Sequence, residues 1–219
     1  MIMLKKIIKA LVGGFFGPKK ILWRYSPRSM RAIALTFDDG PHPIFTPLVL
    51  DQLQAMGAKA TFFLIGECAE KYPEIVQRII DEGHEVGCHT YSHLRFSEHT
   101  PEEIMDNLNQ SSRVLGRFGR SSQLFRPPYG DLPWRLVPML WRDKKQIIFW
   151  SIDSRDFELD SADEILARID FSKIGSGDVF LFHDCYQSTV DVLPEIGKLA
   201  AKNDLVMVVV SKLFITSEK

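Results

Sequence analysis

Acidic residues are missing from the first 31 positions of this 219-residue chain, which hold eight lysines or arginines and leave 19 basic and 28 acidic residues behind them. The near-neutral total of -1 therefore conceals a strongly basic head and an acidic body. A nucleic-acid binder carries basic residues across its folded surface, so the asymmetry is a local feature and argues against nucleic acid as a partner. Cysteine is scarce as well. Cys68, Cys88 and Cys185 are odd in number and show no Cys-x-x-Cys spacing, which removes a disulfide framework and makes a reducing compartment the simpler expectation. Long apolar runs are absent from the head: Ala10 to Gly17 is eight residues, where a bilayer span needs about 20, and there is no cleavage site of the Ala-x-Ala type. Lysines interleaved with Ile7, Ile8, Leu11, Phe15, Phe16, Ile21, Leu22 and Trp23 suit a segment lying on an anionic membrane surface. The same apolar residues would equally close one end of the folded body. The expectation is a cytoplasmic protein, with residues 1–30 as a basic amphipathic segment for peripheral contact at the inner membrane face.

No internal repeat, low-complexity tract, interdomain linker or appended binding module interrupts the rest. Apolar content of 45% and charged content of 25% are those of an ordinary globular chain. The length suits one α/β domain, taken as residues 31–219. From Arg31 the pattern alternates. Strands are expected at Ala32–Phe37, Ala60–Ile65, Glu85–Gly87, near Phe125, at Gln146–Asp153, Asp178–His183 and Leu205–Val210, with helices between them at Thr46–Met56, Glu67–Glu82, Thr100–Phe118, Leu132–Lys144, Ser161–Ile169 and Val190–Ala201. About seven strands, each followed by a helix, imply parallel pairing with right-handed crossovers. A distorted, closed or nearly closed (β/α) barrel is the expected fold, ahead of an open doubly wound sheet.

In such architectures reactive residues gather at the carboxyl ends of strands. Five segments of this chain place polar residues there: Asp38-Asp39, His89, Arg126, Asp153 and His183. Asp38 and Asp39 follow the buried run Ala32-Ile33-Ala34-Leu35 and precede the breaker pair Gly40-Pro41. Adjacent strand residues point to opposite sides, so a metal ion for one carboxylate and proton transfer for the other would account for both. His89 and His93 stand at i and i+4, one helical turn apart, and can reach one ion. With Asp39 they complete a set of two imidazoles and one carboxylate that leaves a coordination position open. Zinc suits those donors, and cobalt or nickel would also bind.

TFDDGP at 36–41, HTYSH at 89–93, RPPYG at 126–130, DSRDF at 153–157 and LFH at 181–183 together resemble the five ordered motifs of the polysaccharide deacetylase family, carbohydrate esterase family four, over about Arg31 to Phe214. The resemblance implies a distorted β/α barrel and metal-dependent removal of acetyl groups from amino sugars of chitooligosaccharide, peptidoglycan or a related glycan. It makes Asp39, His89 and His93 the ligands of one divalent ion, Zn2+ first and Co2+ or Ni2+ next. Asp38 becomes the base for a metal-activated water that attacks the acetamide. Arg126 sits beside Asp38, and the backbone N–H of Tyr129 faces the oxyanion, so the Pro127-Pro128-Tyr129-Gly130 turn matters more than the phenol. His183 becomes the acid for the leaving amine, with Asp156 as the partner that keeps it protonated and Asp153 and Asp184 as nearby competitors. Leu181 lines the acetyl-methyl pocket. Phe157 stands where the family usually has tryptophan, which keeps an aromatic face for a sugar and loses an indole donor. Alternatives are a deacylase of a lipid-linked sugar at the membrane face, a carbohydrate O-acetyl esterase, and a carbohydrate-binding protein with a dead site.

Overall fold

The computed structural model describes residues 21–22, 31–119 and 123–214, so the basic head lies outside the described residues except for one backbone pair. Nine strand segments among them form a single sheet in which every pairing is parallel. They are β1 (Ile21–Leu22), β2 (Ala32–Asp38), β3 (Thr61–Leu64), β4 (Glu85–Cys88), β5 (Leu124–Phe125), β6 (Gln146–Ile148), β7 (Ile152–Asp153), β8 (Val179–His183) and β9 (Val206–Met207). Their order is β1-β6-β5-β4-β3-β2-β8-β7, with β9 added to the start of β2. All seven residues of β2 are buried, which is why its sequence reads as a continuous apolar run and not as an alternation. Helices Phe45–Ala55, Pro101–Gly116 and Gln187–Lys202 cover the outside and present Leu50, Leu53, Leu108, Leu193 and Ile196 to the core. Thr100 caps the second of these with a capping box closed by Glu103, as the Thr-Pro-Glu-Glu start predicts. No helix among the described residues is long and apolar enough to cross a membrane.

The parallel β/α barrel is the expected architecture, and all seven expected strand segments are present in some form. Three details differ. The segment Gln146–Asp153 is two strands, β6 paired with β5 and β7 paired with β8, so one continuous apolar stretch passes between opposite sides of the sheet. The segment Leu205–Val210 keeps only Val206–Met207 as strand, and Val210 opens a short helix to Phe214. Ile21–Leu22, grouped with the head by composition, pairs in backbone with Ile147 and Ile148.

Candidate active site

Chain geometry turns both aspartates to one place. β2 ends at Asp38, and Asp39 adopts φ 73, a left-handed conformation that Asp tolerates better than most residues. The strand alternation expected to part them therefore stops between them. His89 Nε2 lies 3.7 Å from Asp38 Oδ2 and 3.5 Å from Asp39 Oδ1. His93 Nε2 lies 3.2 Å from the same Asp39 oxygen. The two histidines are not one helical turn apart as their spacing suggests. They sit in the loop after β4, which folds back through left-handed Thr90 (φ 68) and His93 (φ 53) and is held by Asn107 Oδ1, the acceptor for the Tyr91 N–H at 2.7 Å.

Three donor groups in this position suit a metal ion. Among the described residues, Asp39, His89 and His93 form the group whose ligand atoms all lie within 4.8 Å of one another. Donors about 2.0–2.1 Å from a tetrahedral zinc stand roughly 3.3 Å apart, close to the spacings above. His89 Nδ1 faces the Arg126 carbonyl at 2.8 Å. A carbonyl only accepts, so Nδ1 carries the proton and Nε2 keeps its lone pair for a ligand bond. Asp39 Oδ1 is buried with no hydrogen bond among the described residues. Burial raises the Asp39 carboxyl above its usual range against the opposing charges of His89 and His183, and burial lowers both His89 and His93. Each donor is thus poorly solvated as a lone charge, and a cation at their centre would relieve the carboxylate.

Asp38 faces a second partner. Arg126, fully buried just after β5, donates from Nη1 to Asp38 Oδ1 at 2.7 Å and to Thr36 Oγ1 at 2.7 Å, from Nε to the Ile148 carbonyl at 3.1 Å and from Nη2 to the Phe149 carbonyl at 3.1 Å. Its guanidinium also lies 4.2 Å from the Phe63 ring centre. Across the pocket, His183 Nδ1 meets Asp156 Oδ1 at 2.7 Å, and the His183 backbone N–H donates to Asp156 Oδ2 at 2.6 Å. Thr189 Oγ1 donates to that same oxygen at 2.5 Å. Burial pulls the His183 imidazole down, but the Asp156 bond and the charges of Asp156, Asp38 and Asp39 outweigh it and raise the pKa to about 9. Asp153 and Asp184 do not share this role: Asp153 Oδ1 accepts the Arg155 N–H at 3.1 Å, and Asp184 Oδ2 accepts from Thr46 at 2.5 Å.

Between the two pairs lies a pocket of about 450 Å³, lined in part by Asp38, Asp39, Tyr129, Phe157, Leu181 and His183. Leu181 is 4% exposed and Phe157 43%, the latter edge-on to His183 at 5.3 Å. Pro127 and Pro128 are buried and do not line it; they shape the turn that follows. In that turn Tyr129 takes φ 58 and ψ 7, and no hydrogen bond among the described residues uses its N–H. Of the seven non-glycine residues with positive φ among the described residues, four, Asp39, His93, Tyr129 and Arg155, line the pocket. Such residues cost of order 1–3 kcal/mol each, which the surrounding packing must offset.

Further lining residues are Arg95 and Tyr186, which stand within three residues of the motifs, Trp150, which lies in an apolar run, and Arg155, which lies inside the DSRDF motif without a role assigned to it. Thr36, Thr189 and Thr46 act one layer behind the pocket. Of the remaining histidines, His42 Nδ1 accepts the N–H groups of Ile44 and Phe45, His84 Nδ1 accepts that of Ala60, and His99 lies at the surface beside Glu103. Cys88 is buried with its Sγ toward Ser111 at 3.3 Å, away from the donor cluster.

A buried carboxylate–arginine pair and a histidine–carboxylate pair facing each other across a three-donor cluster define a hydrolase site. The chain belongs to the polysaccharide deacetylase family, whose model matches residues 26–141. A peptidoglycan-N-acetylglucosamine deacetylase of Bacillus cereus is 36% identical over 198 residues, covering 88% of this chain and 72% of that protein. A chitooligosaccharide deacetylase of a Bradyrhizobium strain is 36% identical over 159 residues, 71% of this chain and 72% of the relative. The structure of the peptidoglycan deacetylase PdaC from Bacillus subtilis superposes with a TM-score of 0.79 at 33% identity, over 85% of this chain and 91% of that one.

Proposed function

We propose that this chain hydrolyses the acetamide of N-acetylated amino sugars in a glycan such as peptidoglycan or chitooligosaccharide, yielding acetate and a free amine. The observation that carries the reading is the convergence of Asp38–Arg126 and His183–Asp156 on one pocket beside Asp39, His89 and His93. One divalent ion held by those three residues, zinc by preference and cobalt or nickel on the same donors, would supply Lewis-acid activation of water at that point. Asp38 takes the proton from the attacking water, and Arg126 holds the carboxylate oriented through its 2.7 Å bond to Oδ1. The Tyr129 N–H donates to the carbonyl oxygen as it gains charge. His183 delivers its proton to the nitrogen as the C–N bond breaks, because an amine anion is too poor a leaving group to depart alone. Asp156 and Thr189 hold His183 in register for that transfer. Leu181 forms an apolar floor for the acetyl methyl, and Phe157 offers a face at the lip for the sugar ring.

On this reading residues 31–219 are the catalytic domain, joined in the sheet by the Ile21–Leu22 pair, and the basic amphipathic head ahead of that pair serves peripheral contact with an anionic membrane near the substrate. Co-sedimentation with anionic vesicles, full chain against a chain lacking residues 1–20, tests the second part. The first part is tested by acetate release from N-acetylglucosamine oligomers and peptidoglycan fragments, with zinc, after chelation, and with Asp38→Asn. Release that chelation and Asp38→Asn both abolish supports it. Faster release from O-acetylated than from N-acetylated sugars would move the assignment to an esterase, and no release from any oligomer or fragment with zinc bound would move it to a lipid-linked sugar.

A further inference from the structure

The loop that carries His93 also carries Arg95, which neither acid–base pair uses. The Arg95 guanidinium carbon lies 3.9 Å from the centre of the Tyr129 ring, and the His93 ring lies 4.6 Å from that centre at 57°. Two residues of one loop, at positions i and i+2, therefore hold a side chain that is 53% exposed. A second tie joins the same two segments: the Ser97 N–H donates to Asp131 Oδ2 at 2.8 Å. Arg95 also meets Glu98 at 3.4 Å, an exposed ion pair of the kind that contributes little. The stack on Tyr129 is the contact that fixes it, because a planar guanidinium lies flat on an aromatic face.

What the stack holds in place is backbone. Tyr129 sits at φ 58 with its N–H unused among the described residues, and Gly130 follows at φ 63. A tyrosine does not favour the left-handed region by itself, so the direction of this N–H depends on what restrains its side chain. Pro128 has no N–H of its own to substitute for it. We infer that Arg95 is a positioning residue, whose stacking on the Tyr129 ring holds the Tyr129 N–H aimed at the oxygen that gains charge in the reaction. This rests on the deacetylase reading above. Because that oxygen gains its charge in the transition state, the effect falls on kcat and spares ground-state binding.

The test is steady-state acetate release by the zinc-loaded wild type, Arg95→Met, Arg95→Lys, Tyr129→Ala and the Arg95→Met/Tyr129→Ala double variant, with Tm and zinc affinity measured for each. Arg95→Met should lower kcat about tenfold, part of the roughly 10²–10³ lost when an oxyanion donor is removed outright, with KM, Tm and zinc affinity unchanged. Arg95→Lys should fall between, since an ammonium has no planar face to stack. In the Tyr129→Ala background Arg95→Met should alter kcat by less than about twofold. Wild-type kcat in Arg95→Met and Arg95→Lys overturns the inference. So does a raised KM at constant kcat, an equal loss in both backgrounds, or a kcat loss that tracks a fall in Tm or zinc affinity. A zinc-loaded wild type that releases no acetate from any substrate removes the deacetylase reading and the inference with it; an active wild type beside an unaltered Arg95→Met removes the inference alone.

Discussion

Arg126 reaches Asp38 from a strand three places away in the sheet, with β4 and β3 lying between β5 and β2, and closes the gap at 2.7 Å through the barrel interior. The same guanidinium serves Thr36 and the carbonyls of Ile148 and Phe149 at the end of β6, so it is at once the counter-ion of the proposed base and a brace across the barrel. Removing it would leave Asp38 as a buried, unpaired carboxylate. Arg126→Met should therefore abolish measurable acetate release and cost about 3–5 kcal/mol of stability in urea unfolding. Arg126→Lys should restore little, because one ammonium cannot reproduce the fork that reaches four acceptors.

His183 has a folded pKa of about 9 against an ordinary value of 6.5, the burial that would lower it being outweighed by Asp156 and its neighbours. A raised imidazole contributes stability that is fully present below pH 6.5 and is lost as pH rises through 9. Chelated protein should thus lose stability over that interval, and Asp156→Asn should flatten the loss. In the zinc-loaded enzyme the acid must hold its proton, so Asp156→Asn should move the alkaline limb of the kcat profile to lower pH. An unmoved limb in that variant would detach Asp156 from the acid.

Metal loading should be visible without any substrate. Zinc at about 100 times its Kd adds roughly 2.7 kcal/mol to the folded state, which for a chain of this size raises Tm by about 5–10 °C. Asp39→Ala, His89→Ala and His93→Ala should each remove most of that rise in differential scanning calorimetry. A variant that keeps the full rise names a residue that is not a ligand.

Asp184 lies directly behind the Asp39-Gly40 turn. It is wholly buried, hydrogen-bonded by Thr46, and a Cβ on Gly40 would come within 2.2 Å of its carboxylate. Burial raises its pKa to about 7. The folded state then holds a proton that the unfolded chain has released, so this group makes stability fall as pH rises from about 4 to about 7. Asp184→Asn should be more stable than the wild type at pH 8 and equal to it near pH 4. Gly40→Ala, which forces a methyl against that carboxylate, should cost about 1–3 kcal/mol at either pH.

Much of this site could be read from residues alone, because its chemistry is carried by short motifs at strand ends and β2 announces itself as an apolar run. What could not be read depends on which strand each segment meets. Ile147 to Ile152 is apolar nearly throughout, and nothing in its composition says that its first half joins β5 and its second half β8. The His89–His93 spacing fits a helical turn, and only the left-handed residues Thr90 and His93 disclose that a loop makes the same approach. Arg95 and Tyr129 meet because two loops are tied together at Ser97 and Asp131, a contact with no signature in either segment.

The division of Gln146–Asp153 between β6 and β7 has a consequence for how the barrel holds its shape. Where most of its staves are joined by rungs of hydrogen bonds, the crossing from one side to the other is made by the covalent chain itself, through Phe149, Trp150 and Ser151, with Arg126 gripping the near end and the Ser151 N–H bonded to Val179 at the far end. Those three residues work as a buckle. A nick there would release the strap on which the counter-ion of the proposed base is anchored, so a short link that looks like an ordinary connection is what ties β6 to β7 from opposite parts of the sheet.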